Sequence, residues 1–539
     1  MIRAPAASMV APMTFDRTDP LVHGSATDLV QLLERREVSA EEVVRAHVDR
    51  AITIESRVNA FVESLRGEAL ERAKAIDAAR ARGEHVGPLA GLPISIKENL
   101  DMAGHASTLG IEHRRRLRAA EDAVVVQAVK RAGGIPVGRS NVPQLLLSHE
   151  TRNPVFGVTK NPFSLAHAPG GSSGGEGAAL ASGLSALGVG TDIGGSIRIP
   201  AAWCGIAGLK PTLDRWSNRG SNGALVGQEV IRSQVGPMAR TARDVAFFFR
   251  ALEPRFMAER DPLVCPFAPE RAASERGGGR PRVGFFDDDG VVGPSAAVRR
   301  AVAEARSALS ARGFDLVPFR VPEMEKAVAL YFGLMSSDGG VTAQALIGSS
   351  AIEPALAPLL RTAQLPRAAR LLLVQGLRAA GEGRIAGILA NLSEKRVSEV
   401  WRLTKAARDL RLAILAAMRE ARVDVLLGPP HATPAVPHEK SAQFLLAGSY
   451  AMVWNLVQFP AGVVPVTTVR SDETTRRSER PDRVEKVAIE VDRASAGLPV
   501  GVQVVGRPFE DEVVLEVMIA LEEELGPGRP VTPRMPGEA

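Results

Sequence analysis

Apolar residues in this chain recur at helical spacing, then collect into short β-branched runs, and the two patterns alternate along its length. In VSAEEVVRAHVDRAI, Val43, Val44, His47, Val48 and Ala51 share one stripe of a 3.6-residue repeat, with Ser39 placed to cap it and Glu41 and Glu42 in its first turn. A second helical pattern, SLRGEALERAKAIDAARARG, leads through Gly87 and Pro88 into LPISIKENL, which predicts a buried strand ending near Lys97. AEDAVVVQAVKRAGGIPVGRSNVP repeats the order of helix then strand. RPRVGFFD, SALSARGFDLVPF, VDVLLGP, FPAGVVPVTTV and LPVGVQVVG add further short apolar runs before a last helix in PFEDEVVLEVMIALEEEL. Val/Ile/Leu runs interleaved with helices predict an α/β protein, a single large α/β/α sandwich whose twisted mixed sheet carries helices on both faces.

Two segments depart from this pattern. The charged stretch RSDETTRRSERPDRVEK, 470–486, interrupts the last strand pair and predicts an exposed insertion. Residues 356–392 place five Arg and one Glu among Leu-rich helical turns broken by Pro366 and Gly376. That segment reads either as helices packed on the sheet with Arg reaching water, or as a basic amphipathic cap lying on a membrane surface.

Composition narrows the classes. At 539 residues the chain exceeds the size of one simple core, so two domains or one large α/β unit are expected. Lys and Arg number 66 against 61 Asp and Glu, but the basic residues are scattered through helical patterns and aromatics are only 4%, so nucleic acid is not an expected partner. Cys204 and Cys265 sit in no CxxC or Cys/His array, which predicts neither a disulfide framework nor a zinc site and fits a reducing, cytoplasmic compartment. Prolines break the N-terminal apolar run before a signal-peptide core forms, and no run of 18 apolar residues occurs, so a secreted or membrane-spanning protein is not expected.

The chemistry gathers around GTDIGGSIRIP, 190–200, where two glycines deliver Ser196 with no His or Cys in the stretch to take its proton. Upstream, PGGSSGGEGAALASG sets Ser172 and Ser173 between glycine pairs, which permit positive φ and close backbone approach to a ligand. Phosphate-binding motifs do not fit: no Lys follows these glycines, and GVGTDIGG places its third glycine one residue too late for GxGxxG. GGSSG does match the G-x-S-x-G nucleophile elbow, with Asp424 and His431 following in the required chain order. The other candidate base is Lys97. A free lysine, with a pKa of about 10.4, is neutral in only about one molecule in two thousand at pH 7, and lowering that pKa by about three units costs about 4 kcal/mol, which burial can supply. The competing reading is a lysine at the surface or paired with Glu98, and spacing alone leaves both open.

SIKEN, PGGSSGGEGAALASG and GTDIGGSIRIPAAWCGIAGLKPT together resemble the amidase signature family, serine hydrolases built on a Ser–Ser–Lys triad. GHASTLG, NVPQLLLSHETRNPVFG, the GGSSGGEG variant, SDGG at 337–340 and FPAGVVPVTTV resemble more narrowly its fatty acid amide hydrolase branch, from about residue 25 to about residue 525. The resemblance implies an amidase domain over 25–530 behind an extension at 1–24. It makes Ser196 the acyl nucleophile, Ser172 a bridging serine in a cis peptide, Lys97 the base, and Ser173 a hydrogen-bond partner that holds Lys97. The N–H groups of Ile193, Gly194, Gly195 and Ser196 would form the oxyanion hole, Leu146 would stand on the acyl-binding wall with Tyr331 and Phe332 near the acyl tunnel, and Asp192 and Arg198 would brace the loop. Cys204 and Lys210 are expected to be structural. No metal and no cofactor is implied.

Members of that branch cleave fatty acid amides, so N-acylethanolamines or primary fatty amides are the expected substrates. Animal members carry an N-terminal membrane-spanning segment that this sequence does not contain, and 356–392 falls where the branch has its membrane-binding cap. A cytoplasmic protein, peripheral on the membrane through that cap, is the expectation, with a homodimer left open. Two other readings stay open: the amidase subunit of a glutamyl-tRNA amidotransferase, which needs partner subunits, and a non-catalytic membrane-surface binding protein on an amidase scaffold.

Overall fold

The computed structural model describes residues 19–267, 279–473, 475 and 477–526. Its centre is an 11-stranded mixed sheet. In chain order the strands are β1 Phe61–Ser64, β2 Pro93–Lys97, β3 Ile135–Ser140, β6 Leu187–Asp192, β7 Ala207–Lys210, β8 Gln234–Ala239, β9 Val283–Phe285, β10 Leu316–Pro318, β11 Val425–Gly428, β12 Ala461–Thr468 and β13 Pro499–Gly506. A separate two-stranded ribbon pairs β4 Arg152–Asn153 with β5 Gly157–Val158. Across the main sheet the order is β1-β3-β2-β6-β8-β7-β12-β13-β11-β9-β10. β2 runs parallel to both β3 and β6, and β9 runs parallel to β10 and β11, while the strands between are antiparallel.

Every residue of β2, β3, β6, β8 and β13 is buried. Since successive side chains point to opposite faces, both faces of the central strands must be covered. The ends differ: β1 and β10 are short and partly exposed, which limits the free edge each presents. Helices Ala296–Ala311 and Asp511–Leu525 pack on β12 and β13, and helix Gly174–Ala181 packs on β2 and β6. The helix announced by Ser39 runs Ala40–Val58 with a full capping box to Glu42, and it buries Val43, Val44, His47 and Val48.

The segment at 356–392 forms three short helices, Ala357–Ala363, Arg367–Ala379 and Gly383–Asn391. They bury Leu360, Ala363, Val374 and Ala386, while Leu371, Leu372 and Leu373 stay exposed. The stretch 470–486 is exposed only in part. Arg477 pairs with Asp492, Glu473 with Arg300, and Asp482 both caps helix Arg483–Ala494 and holds Arg384 of the cap. At the N-terminus the expected extension ends earlier than residue 24: helix Pro20–His23 is already part of the fold, and the Gly24 carbonyl accepts from Arg240. Residues 1–18 of that extension, and 527–530 of the expected domain, lie outside the described residues.

Candidate active site

β2 and β6 lie side by side and parallel, so their carboxyl ends open at the same edge of the sheet, where α/β proteins bind ligands. β2 ends at Lys97 and β6 at Thr191 and Asp192. The loop Ile193–Ile197 then leads into helix Arg198–Trp203. Against these ends stands the Ser172–Ser173 loop, with a cis Gly171–Ser172 bond, leading into helix Gly174–Ala181.

Lys97 is 0% exposed. Its Nζ lies 2.8 Å from Ser172 Oγ, 2.7 Å from Thr191 Oγ1 and 3.3 Å from the Thr191 carbonyl oxygen. Burial pulls the amine down to about 7, against the opposing pull of Asp192, Glu176 and Glu98. A neutral amine has two N–H donors and one lone pair. The carbonyl can only accept, so it takes one N–H, one hydroxyl takes the other, and the remaining hydroxyl is free to donate to nitrogen. The surface or Glu98-paired lysine is excluded: the Glu98 carboxylate is held by the N–H groups of Thr108 and Leu109.

Ser173 was expected to hold Lys97 and does not. Its hydroxyl donates to the Thr191 carbonyl at 3.2 Å and accepts from the Thr191 N–H at 3.3 Å, so it secures the residue that in turn contacts the amine. Ser196 is 4% exposed and opens onto a cavity. The backbone joins the two serine loops, Ser173 N–H to Ser196 carbonyl at 3.1 Å, while no direct hydrogen bond links the Ser172 and Ser196 hydroxyls.

Gly195 also needs correction as an oxyanion donor, because its N–H is taken by Asp192 Oδ1 at 2.8 Å. The N–H groups of Ile193, Gly194 and Ser196 have no protein acceptor among the described residues. Gly195 has φ +107, and a Cβ there would lie 2.7 Å from Ile199 and 2.8 Å from Ala451, so only glycine fits. At Gly194 an added Cβ would overlap the Tyr331 hydroxyl, which donates to the Ile193 carbonyl at 3.2 Å.

Asp192 and Arg198 form a wholly buried, two-pronged ion pair, Nε to Oδ2 and Nη2 to Oδ1 both at 3.0 Å. Burial raises the Asp192 carboxyl, but the adjoining guanidinium and the Gly195 N–H outweigh it and hold the group well below the carboxylate range. Asn455 and Gln503, from distant parts of the chain, complete the brace on Arg198 at 2.6 and 3.1 Å. Lys210 is buried too, and its amine donates to the Pro211 carbonyl at 2.9 Å. Cys204 Sγ is buried at 3.2 Å from the Pro169 carbonyl.

The elbow reading fails. His431 Nδ1 is engaged by Thr433, its ring packs edge-on against Trp203 at 4.9 Å, and Asp424 binds Arg282 and Arg507. A different imidazole, that of His149, lines the cavity, but no hydrogen bond joins it to either serine, and burial lowers it to about 4.

A cavity of about 860 Å³, its open mouth included, is lined by Ser196, Gly194, Leu146, Tyr331, Phe332, Met335, Ala343 and, from the first cap helix, Leu360. Ala343 and Leu360 belong to a second apolar cluster, against which Leu146 also packs. Among the described residues no group of three or more His, Cys, Asp or Glu side chains comes together as metal ligands, and no helix is long and apolar enough to cross a membrane. Thr191, Glu176 and His149 lie within motifs legible in the sequence, while Asn455 and Gln503 carry no local signal.

A family model described as Amidase matches residues 42–515. Fatty-acid amide hydrolase 1 of Sus scrofa is 37% identical over 508 residues, covering 93% of this chain and 86% of the relative. Fatty acid amide hydrolase 1 of Caenorhabditis elegans is 33% identical over 501 residues, covering 91% and 86%. A solved structure described as fatty acid amide hydrolase superposes with a TM-score of 0.82 at 28% identity, covering 94% of this chain and 86% of that one.

Proposed function

The chain belongs to the amidase signature family and acts as an amide hydrolase; from that premise we propose that it cleaves fatty acid amides through a Lys97–Ser172–Ser196 relay. The observation that carries the reading is the fully buried Lys97 amine 2.8 Å from Ser172, beside an apolar cavity that begins at Ser196.

Neutral Lys97 takes the Ser172 proton as Ser172 takes that of Ser196, and Ser196 Oγ adds to the amide carbonyl. The negative oxygen then faces the N–H groups of Ile193, Gly194 and Ser196. Collapse of this adduct breaks the C–N bond, the proton returns through Ser172 to the departing nitrogen, and an acyl-enzyme remains. Water attacks the ester by the same relay and releases the fatty acid, restoring Ser196.

The acyl chain lies along Tyr331, Phe332, Met335 and Leu360. Each buried methylene contributes about 0.8 kcal/mol, roughly fourfold in specificity, so a long chain should gain several orders of magnitude over a short one. Comparison of kcat/KM for oleamide and acetamide tests the substrate class: a large preference for oleamide is expected, and equal or better turnover of acetamide overturns it.

The exposed Leu371, Leu372 and Leu373 of the cap, with exposed Arg367 and Arg378 on the same helix, form a basic apolar surface suited to a bilayer interface. In this reading the cap rests on the membrane that holds the substrate.

A further inference from the structure

We propose that Glu176 is a positioning residue of the relay, supplying the buried counter-charge that favours the Lys97 ammonium formed when the relay turns; the proposal rests on the Lys97–Ser172–Ser196 reading. Glu176 is the third residue of helix Gly174–Ala181, four residues after Ser172, so one short segment carries both the bridging hydroxyl and this carboxyl group. The helix, GGEGAALA, is otherwise apolar or glycine, and all of it is buried.

Register fixes where the carboxyl group points. Ser95 Oγ donates to Glu176 Oε2, and Ser95 lies two residues before Lys97 on β2, so the two side chains project from the same face of the sheet. Glu98 follows Lys97 directly and is bound elsewhere. On the neighbouring strand, Ser140 stands opposite Lys97 in register. Its hydroxyl bears on the Glu176 carboxyl group, yet neither that hydroxyl nor Glu176 Oε1 makes a hydrogen bond of good geometry, and both are buried. Burying a half-satisfied carboxyl group is costly.

The other charges around Lys97 are already committed. Asp192, from β6, is locked to Arg198 of the following helix, and Glu98, from the end of β2, faces Arg139 of β3 and accepts two backbone N–H groups. Lys210, from β7, bears on Asp192 and is spent on the Pro211 carbonyl. Among the described residues Glu176 is paired to no guanidinium. Burial raises it to about 7, against Ser95, Ser140 and Lys97, so its charge is poised in the range where the Lys97 amine titrates.

The test is the rate at which a fluorophosphonate probe labels Ser196 as a function of pH, in the full chain and in Glu176→Gln, which keeps the shape and removes the charge. Loss of the counter-charge lowers the Lys97 pKa, so the acid limb of the profile should move to lower pH by about half a unit or more, while the plateau rate falls severalfold. Ser95→Ala, which withdraws the hydroxyl that favours the carboxylate, should move the limb in the same direction and serves should Glu176→Gln not fold. An acid limb and plateau unchanged in the folded variant overturn the proposal. Failure of the relay reading is distinguishable: the parent protein itself would then lack labelling at Ser196, or keep it without Lys97.

Discussion

Thr191 Oγ1 lies 2.7 Å from the Lys97 amine, and the carbonyl oxygen of the same residue lies 3.3 Å from it. One residue at the end of β6 thus occupies two of the amine's three hydrogen-bonding directions and leaves the third for Ser172. Replacing Thr191 with Val keeps the shape and removes one acceptor. The amine is then free to turn from Ser172, so kcat should fall about 10- to 100-fold with KM little changed. The stability loss should stay near about 1 kcal/mol. Steady-state kinetics with parallel thermal melts separate the two effects.

The depressed Lys97 pKa sets the pH dependence of activity. The base works when neutral, so kcat/KM should rise with pH through an acid limb near 7. The same shift marks stability. Between about 7 and the ordinary value of 10.5 the unfolded chain holds the proton that the folded chain has lost, so this group's contribution grows more favourable as pH rises across that window. Lys97→Met removes the effect. Its melting temperature relative to the parent should therefore be highest near pH 7 and decline toward pH 10, as measured by melts in matched buffers.

Tyr331 and Gly194 should behave as a coupled pair. A methyl group at Gly194 meets the Tyr331 hydroxyl and displaces the loop whose N–H groups face the reacting carbonyl, so Gly194→Ala should cost about 100-fold in kcat. Tyr331→Phe removes the colliding oxygen. The double variant should therefore recover part of the loss, a non-additivity that a double-mutant cycle in kcat would measure.

The sequence announced what local chemistry encodes. Ser39 and Glu42 form the capping box that starts a helix at Ala40, the β-branched run ISIK ends β2 at Lys97, and the glycine-flanked serines fall at strand and helix ends where the backbone turns sharply. β8 stayed hidden because QVGPMA carries Gly236 and Pro237, which read as breakers. Pro237 stands opposite Val189 in the ladder with β6, whereas the ladder with β7 pairs only Ala207 and Gly208 and ends before the proline, so no N–H is needed from it on that side. The brace on Arg198 could not be read locally, since its partners Asn455 and Gln503 lie 257 and 305 residues away along the chain. Ser173 and Gly195 depart from the roles the resemblance implies for a related reason: their flanking residues are right for the site, but Thr191 and Asp192 take their hydrogen bonds.

The cap makes a separate prediction. Changing Leu371 and Leu372, 52% and 70% exposed, to Glu places two carboxylates on an exposed apolar face. Co-sedimentation with anionic phospholipid vesicles should drop at least severalfold while turnover of a soluble short-chain amide stays as in the parent. Unchanged sedimentation would remove the membrane role from this segment.

The relay itself is tested most directly by mapping fluorophosphonate modification by mass spectrometry in the parent protein and in Lys97→Ala, Ser172→Ala and Ser196→Ala, each first shown to melt cooperatively. The account predicts a single modified residue, Ser196, with labelling abolished in Ser196→Ala and slowed by at least about 100-fold in each of the other two. Labelling of Ser196 at the parental rate in a folded Lys97→Ala protein would contradict it.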